Sequence, residues 1–450
     1  MSTLSRRSFV FSAATAAAAG SFSRSVYGYP AAEQVRIGLI GVAGRGENNL
    51  VEIEPSGGKL VALCDVELGR AAKSRKQFPK ATFDVDFRKL LDRKDIDAVL
   101  IATPDHTHFP AAALALDSGR HVYCEKPLTH TVEEARILQN LAAKKKAVTQ
   151  MGTQIHAEPN YRRVVEQIQA GAIGAVKEAH VWCAKSWGGK GVTTKTGEKV
   201  PETLDYDLWV GPSAQREYSS SIVPFNWRRY WNFGAGTLGD MGCHYIDLTF
   251  WALKLKYPTK VSAEGTPVDA DTAADDLTAR WEFPERGNMG PVTLYWHDGG
   301  RKPKVEGLLP WDNGVLFIGE KGMLQADYGQ HSFINCPESA RGSVKIDPIA
   351  NSIGHHREWI EAMKGNGKTL CSFDYSGPLT ETVLLGVAAY RSGKSFAWDA
   401  ANLKPSESEV SAFISKKYRS PWDKELAGFK NLSVASAQGA HSQSLRSVLS

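Results

Sequence analysis

The 450-residue chain carries 54 Lys and Arg against 49 Asp and Glu, giving a formal net charge of +5, and 42% of its residues are hydrophobic. That apolar content excludes a disordered chain, and the length accommodates two domains. No basic run is interleaved with aromatics, which argues against nucleic-acid binding.

The N-terminus reads as an address. Ser5-Arg6-Arg7-Ser8-Phe9-Val10 has a twin-arginine pattern, and an alanine-rich stretch from Phe11 to Ala19 follows it. The stretch is too short and too weakly apolar to span a bilayer. The expectation is an export signal and linker over residues 1–33, a periplasmic mature protein and no stable membrane insertion. Ala19 and Gly28 both fit as cleavage points.

Residues 34–155 alternate strand and helix patterns, as expected of a parallel sheet covered on both faces. An apolar run ends in Gly41-Val42-Ala43-Gly44-Arg45-Gly46. A second run, Leu60 to Cys64, ends in Asp65, nineteen residues after Gly46. Strand, glycine turn, helix, strand and acid form the layout of a dinucleotide-binding βαβ unit. The glycines allow a tight turn that points helix amides at a pyrophosphate. Asp65 would bond the adenosine ribose, which favours NAD over NADP. Ala43 stands where the middle glycine of the motif belongs, and Gly44 directly after it offers relief.

The apolar strand Ala98 to Ala102 runs into Thr103-Pro104-Asp105-His106-Thr107-His108, and a short helix stops at Gly119. His121 to Cys124 runs into Glu125-Lys126-Pro127. A helix over Val132 to Lys145 and a strand over Ala147 to Met151 complete the unit. Ligands of such sheets bind beyond the strands' carboxyl ends, where these polar groups fall.

Residues 156–430 have a different texture. A helix from Pro159 to Ala170 precedes longer alternating strands, Ala175 to Trp182, Leu277 to Phe283, Val292 to Trp296 and Val315 to Ile318. The fold class is therefore α/β, a doubly wound parallel sheet followed by an α+β domain with a large, mostly antiparallel open sheet. His355 to Met363 and Leu379 to Tyr390 read as helices packing back on the body, and residues 431–450 as a flexible tail. Of the six cysteines, Cys64, Cys124 and Cys243 fall in strands or motif cores, and no C-x-x-C occurs. They read as buried thiols.

Three segments carry candidate chemistry. Lys126 directly follows a strand, where it serves as a base or stands paired with Glu125 at the surface. Asp240 and His244, four residues apart, share one face of a helix, with Asp247 a further turn on. That pattern suits a carboxylate orienting an imidazole, or simply a capping aspartate and a packed histidine. Asp240, His244 and Asp247 lack a fourth metal ligand, so no metal is expected. Trp182, Trp187, Trp209, Trp227, Trp231 and Trp251 crowd one stretch beside Arg228 and Arg229. Core packing explains any single one, whereas their density suggests a carbohydrate.

Taken together, these motifs resemble the Gfo/Idh/MocA family, the glucose–fructose oxidoreductase and inositol dehydrogenase group. The resemblance rests on Gly41 to Gly46, Asp65, Ala102-Thr103-Pro104 with His108, Glu125-Lys126-Pro127, Gly171-x-x-Gly174 and Asp240-x-x-x-His244. It implies an NAD-dependent oxidoreductase acting on a carbinol carbon of a sugar, glycoside or polyol. By motif it implies Lys126, Asp240 and His244 as the catalytic group. Gly41 to Gly46, Asp65, Thr103, Pro104, His108, Glu125 and Lys126 would then hold the cofactor. Gln154, His156, Trp227, Arg228 and His244 would face the substrate. Subunits of the family pair through the second sheet, which implies a homodimer or homotetramer. Export implies a tightly held NAD recycled in place. One alternative is a redox-neutral NAD-dependent glycosidase or lyase, against which Lys126 speaks, since relatives of that kind lack the lysine. A non-catalytic sugar-binding protein is the third reading.

Overall fold

The computed structural model of the protein describes residues 34–329, 331–335 and 345–434. The twin-arginine segment, Cys336 and the chain after residue 434 lie outside these. A short 3-10 turn, Ala427–Leu432, occupies the start of the stretch expected as a tail.

Six parallel strands form the first sheet: β1 (Val35–Ile40), β2 (Gly58–Cys64), β3 (Thr82–Asp84), β4 (Ala98–Ile101), β5 (His121–Cys124) and β6 (Thr149–Met151). Their order is β3-β2-β1-β4-β5-β6. The chain reverses direction across the sheet between β1 and β4, so a crevice opens at their carboxyl ends. β4 and β5 are buried at every position, because helices cover both faces of a parallel sheet. Those helices include α1 (Arg45–Ile53), α2 (Leu68–Gln77), α3 (Phe87–Asp92), α4 (Asp105–Asp117) and α5 (Val132–Lys145). The last is bounded by a reciprocal cap: Thr131 accepts from the Glu134 amide while the Glu134 carboxylate accepts from the Thr131 amide. The helix expected to be short is α4, thirteen residues long, with Pro110 inside it.

A nine-stranded sheet forms the second layer. It contains β7 (Val176–Cys183), β8 (Lys260–Gly265), β9 (Leu277–Phe283), β10 (Val292–Asp298), β11 (Asn313–Gly319), β12 (Gly322–Ala326), β13 (Ser332–Asn335), β14 (Phe396–Asp399) and β15 (Lys404–Pro405). In the order β13-β12-β11-β7-β10-β9-β8-β14-β15, every pairing is antiparallel except that of β7 with β10. β9 alternates buried and half-buried residues, the period of two of a strand with one core face.

α6 (Pro159–Gln169), the five-residue α7 (Tyr206–Val210) and α8 (Gly236–Ala252) follow in chain order, then α9 (His355–Met363) and α10 (Phe373–Ser392). α8 and α10 cover the core face of the second sheet. α10 starts six residues before Leu379, and nearly all of it is buried. Placing Pro378 near its N-terminus costs one backbone hydrogen bond, which the buried surface outweighs. α9 crosses back to the first sheet: Trp359, Ile360 and Met363 pack with Val35, Ile37 and Leu60. Among the described residues no helix is long and apolar enough to cross a membrane.

Candidate active site

A cavity of about 790 Å³ runs along the carboxyl ends of the first sheet and beneath α8. Its first end is built by the turn after β1. Gly41 adopts φ 84° and donates its amide to the Cys64 carbonyl at 2.8 Å. A Cβ on Gly46 would lie 1.7 Å from the Gly41 carbonyl oxygen, so only glycine fits there. Gly44, at φ 60°, takes up the turn beside Ala43 and caps α1 without a side-chain bond, while the Gly46 amide donates to the Ala43 carbonyl at 3.2 Å; the N-terminal end of the helix faces the cavity, where it favours an anion. Gly41, Ala43, Gly44, Arg45, Thr103 and Pro104 line the cavity. Val42 does not; it is fully buried, and its amide donates to Asp65 Oδ2 at 2.9 Å.

Asp65 sits in the cavity wall at the end of β2, with Oδ1 accepting from the Glu67 amide at 3.0 Å. Burial pushes its carboxyl up, and the two amides oppose that shift. A free turn, an uncapped helix end and a carboxylate at the ribose position fit NAD and disfavour a 2′-phosphate. A roof covers this end. Leu68 donates its amide to the Thr203 carbonyl, and Asp205 to that of Val66, both at 2.9 Å. Pro201, Thr203, Leu204, Tyr218 and Phe225 of this segment line the cavity.

Glu125 and Lys126 follow β5. Glu125 is buried and accepts from Arg45 Nε at 2.9 Å, Asn49 Nδ2 at 2.9 Å and Gln154 Nε2 at 3.0 Å. Burial alone would raise its carboxyl; Arg45 and Asn49 hold it below the usual range. Lys126 reaches the other way, donating to the Asp240 carboxylate at 2.9 Å and to the Asp240 carbonyl at 2.5 Å. An ammonium has three hydrogens, so one remains for the cavity.

Asp240 stands on the first turns of α8, where its side chain is 8% exposed. It accepts from Lys126, from Lys185 at 3.0 Å, from Arg228 at 3.2 Å and from Trp187 Nε1 at 2.5 Å. Burial would push its carboxyl up, but Lys126, Arg228 and Lys185 together hold it well below the ordinary carboxylate range. One turn on, His244 forms part of the cavity wall while its Nδ1 is buried with no partner among the described residues. Burial, aided by the Lys126 charge, pushes this imidazole down to about 3, so the ring is neutral.

The structure places other expected residues elsewhere. Asp247 accepts from His156 at 2.9 Å and from Tyr375 at 2.7 Å, so it does not join Asp240 and His244. His156 is buried, stacked on Trp251 at 3.9 Å, and forms no part of the cavity wall. His156, Asp247 and Cys371 bring three possible ligand atoms within 4.8 Å, but that buried group lies outside the cavity. His108 also stands behind the wall, bonding the Pro127 and Thr103 carbonyls at 2.8 Å. Gln154, Trp227 and Arg228 line the cavity, and so does Trp209. Trp182 and Trp231 pack inside. Five cysteines are free and buried. Sequence reasoning passed over Lys185 and Asp105, both in the wall. Asp105 sits inside the singled-out Thr103–His108 run, and Lys185 between Trp182 and Trp187, which was the available signal.

Residues 35–153 match the model of an oxidoreductase family with an NAD-binding Rossmann fold, and residues 172–300 match that family's C-terminal α/β domain. The chain belongs to the Gfo/Idh/MocA oxidoreductase family. Inositol 2-dehydrogenase 4 of Saccharopolyspora erythraea is 32% identical over 144 residues, 31% of this chain and 43% of that protein. The alpha-N-acetylgalactosaminidase of Shewanella oneidensis is 33% identical over 195 residues, 39% of this chain and 42% of that protein. The chain thus spans under half the length of these relatives. The crystal structure of GenD2 from gentamicin A biosynthesis, in complex with NAD, shares the fold: TM-score 0.59, 19% identity, covering 83% of this chain and 99% of that one.

Proposed function

We propose that this protein is an NAD-dependent oxidoreductase acting on a carbinol carbon of a sugar, glycoside or polyol. One observation carries the reading: Lys126 and a neutral His244 face a single cavity whose other end fits NAD. Bound NAD supplies the two-electron chemistry at the carbinol carbon. Lys126, held from behind by Asp240, gives its remaining hydrogen to the substrate oxygen and stabilises negative charge there. His244 accepts the hydroxyl proton. Burial opposes keeping a charge on that ring, so the proton passes on to solvent through the cavity.

The roof from Pro201 to Phe225 supports a tightly held NAD, which suits the twin-arginine pattern Arg6-Arg7 and a periplasmic enzyme recycling its cofactor in place. The face of the second sheet turned away from α8 carries stacked His180, Tyr295 and His297, and we assign it to pairing with further copies of the chain. The resemblance to an alpha-N-acetylgalactosaminidase supports a second reading, redox-neutral cleavage of a glycoside through transient oxidation.

The test begins with protein purified without added cofactor. Denaturation should release NAD or NADH, and glycosides added to the native protein should change absorbance at about 340 nm. Lys126→Met should keep the nucleotide and lower sugar-dependent turnover about 10²–10⁴-fold. Glycoside cleavage without net reduction would favour the second reading. Protein that holds nucleotide but neither oxidises nor cleaves any sugar would leave only a binding role.

A further inference from the structure

The chemistry around Asp240 does not balance in charge. Three cations, Lys126, Lys185 and Arg228, converge on one carboxylate. Glu125, the nearest acid along the chain, is committed to Arg45. The other acid in this part of the wall is Asp105, which is fully buried; burial pushes its carboxyl up to about 7 against the pull of Arg228 and Lys126. It offsets part of the surplus at most.

The surplus charge is turned towards the cavity. The Asp240 side chain is 8% exposed, whereas that of Lys185 is 41% and that of Arg228 21%. Arg228 spends Nε on Asp240 and Nη1 on the Phe225 carbonyl at 3.1 Å, and among the described residues none takes a bond from Nη2. Its guanidinium plane is fixed over Trp227 at 4.2 Å and lies 5.0 Å from the Phe225 ring. A guanidinium locked in plane loses little entropy on engaging a planar anion. Lys185 adds a point charge beside it. Phe225, 57% exposed, offers an apolar face of the kind that stacks on a sugar ring.

We infer that the substrate is an anionic sugar whose carboxylate, as in a uronic or aldonic acid, is received by Arg228 and Lys185 beside the reacting carbinol. This rests on the oxidoreductase reading and names its substrate class. Arg228 and Lys185 are then specificity-determining residues, and Lys126 serves the reacting oxygen. A neutral sugar would desolvate two cations that already share one carboxylate with Lys126 and would bring no further anion, which is the element that rejects it.

The NAD-loaded full chain can be offered matched pairs: methyl glucoside and methyl glucuronide, methyl galactoside and methyl galacturonide, together with glucose 6-phosphate and 6-sulfate. The uronides should exceed their neutral partners in kcat/KM by about tenfold or more, the advantage shrinking as salt rises. Arg228→Gln and Lys185→Met, each checked for retained NAD and an unchanged melting temperature, should narrow that ratio to about threefold or less. Equal rates for charged and neutral partners overturn the inference and leave the oxidoreductase reading standing. A preference for the phosphate or sulfate overturns the carboxylate assignment. Calorimetric titration of each pair reads the inference without turnover: tighter uronide binding that Arg228→Gln abolishes sustains it even where no sugar is oxidised, and equal affinities overturn it.

Discussion

Glu125 and Asp240 flank the same lysine and are equally hidden, yet their surroundings differ in kind. Glu125 gathers one cation and two neutral amides from α1 and the segment after β6, so its charge is closed within the protein. Gly152 packs so tightly against it that a Cβ there would lie 2.4 Å from Oε2. Asp240 gathers three cations that remain open to the cavity. The first carboxylate is a joint between elements; the second anchors a cluster of cations that face the cavity. Burial of a carboxylate therefore says little until its partners are counted and their exposure compared.

Acid should have the largest effect, and it bypasses both carboxylates. Both carboxylates lie below their ordinary range and stay ionised in mild acid, so sensitivity there must come from other buried groups. Burial holds His106, His244 and His355 down to about 3, and His121, His297 and His356 to about 4. Their folded values lie below the unfolded one of 6.5, so stability is lost as pH falls through 6.5. Burial pushes Asp105, Asp298 and Glu381 up to about 7, the opposite sign. Burial also pushes His108, His130 and His180 down, so the histidines outnumber the carboxyls of opposite sign and unfolding between pH 5 and 6 takes up protons on balance. Stability should fall there by about 4 kcal/mol per pH unit or more, measurable by urea titration at several pH values. A flat profile would mean that these rings are charged in the folded state.

Glu125→Ala comes next. Stranding Arg45, Asn49 and Gln154 should lower stability by about 2–4 kcal/mol in denaturant titrations. Asp240→Asn should have the smallest effect on stability, about 1 kcal/mol, because the amide oxygen can still accept from the same donors and Lys185 and Arg228 are already partly exposed to the cavity. Its turnover should nevertheless drop about tenfold to a hundredfold, as Lys126 loses its anchor. Equal stability losses for the two variants would erase the distinction between joint and cluster.

Regular segments were legible in the sequence because their periods were clean. The bounds of α5 and α9 match the expected ones, the former marked by its Thr131 and Glu134 cap. The glycine turn, Asp65, Lys126, Asp240 and His244 all fall along one cavity. The roof from Pro201 to Phe225 was hidden, since an irregular segment has no period and closes through two backbone bonds that any side chains allow. His156 misled for a related reason. Position after β6 put it beside Gln154, but the buried Asp247 carboxylate and the Trp251 face draw it the other way. Lys185 reaches Asp240 from 55 residues earlier in the chain to meet Arg228 there, a meeting that no local pattern encodes.

The roof over the Asp65 end bears on kinetics as well as on affinity. If NAD is held beneath Thr203 and Leu204 as proposed, a reducing equivalent taken from one sugar would stay with the protein after that sugar leaves. The enzyme would then rest in two oxidation states and serve donor and acceptor in alternation. Double-reciprocal plots at several acceptor concentrations would be parallel lines, and each sugar would compete with the other for the same oxidised or reduced form.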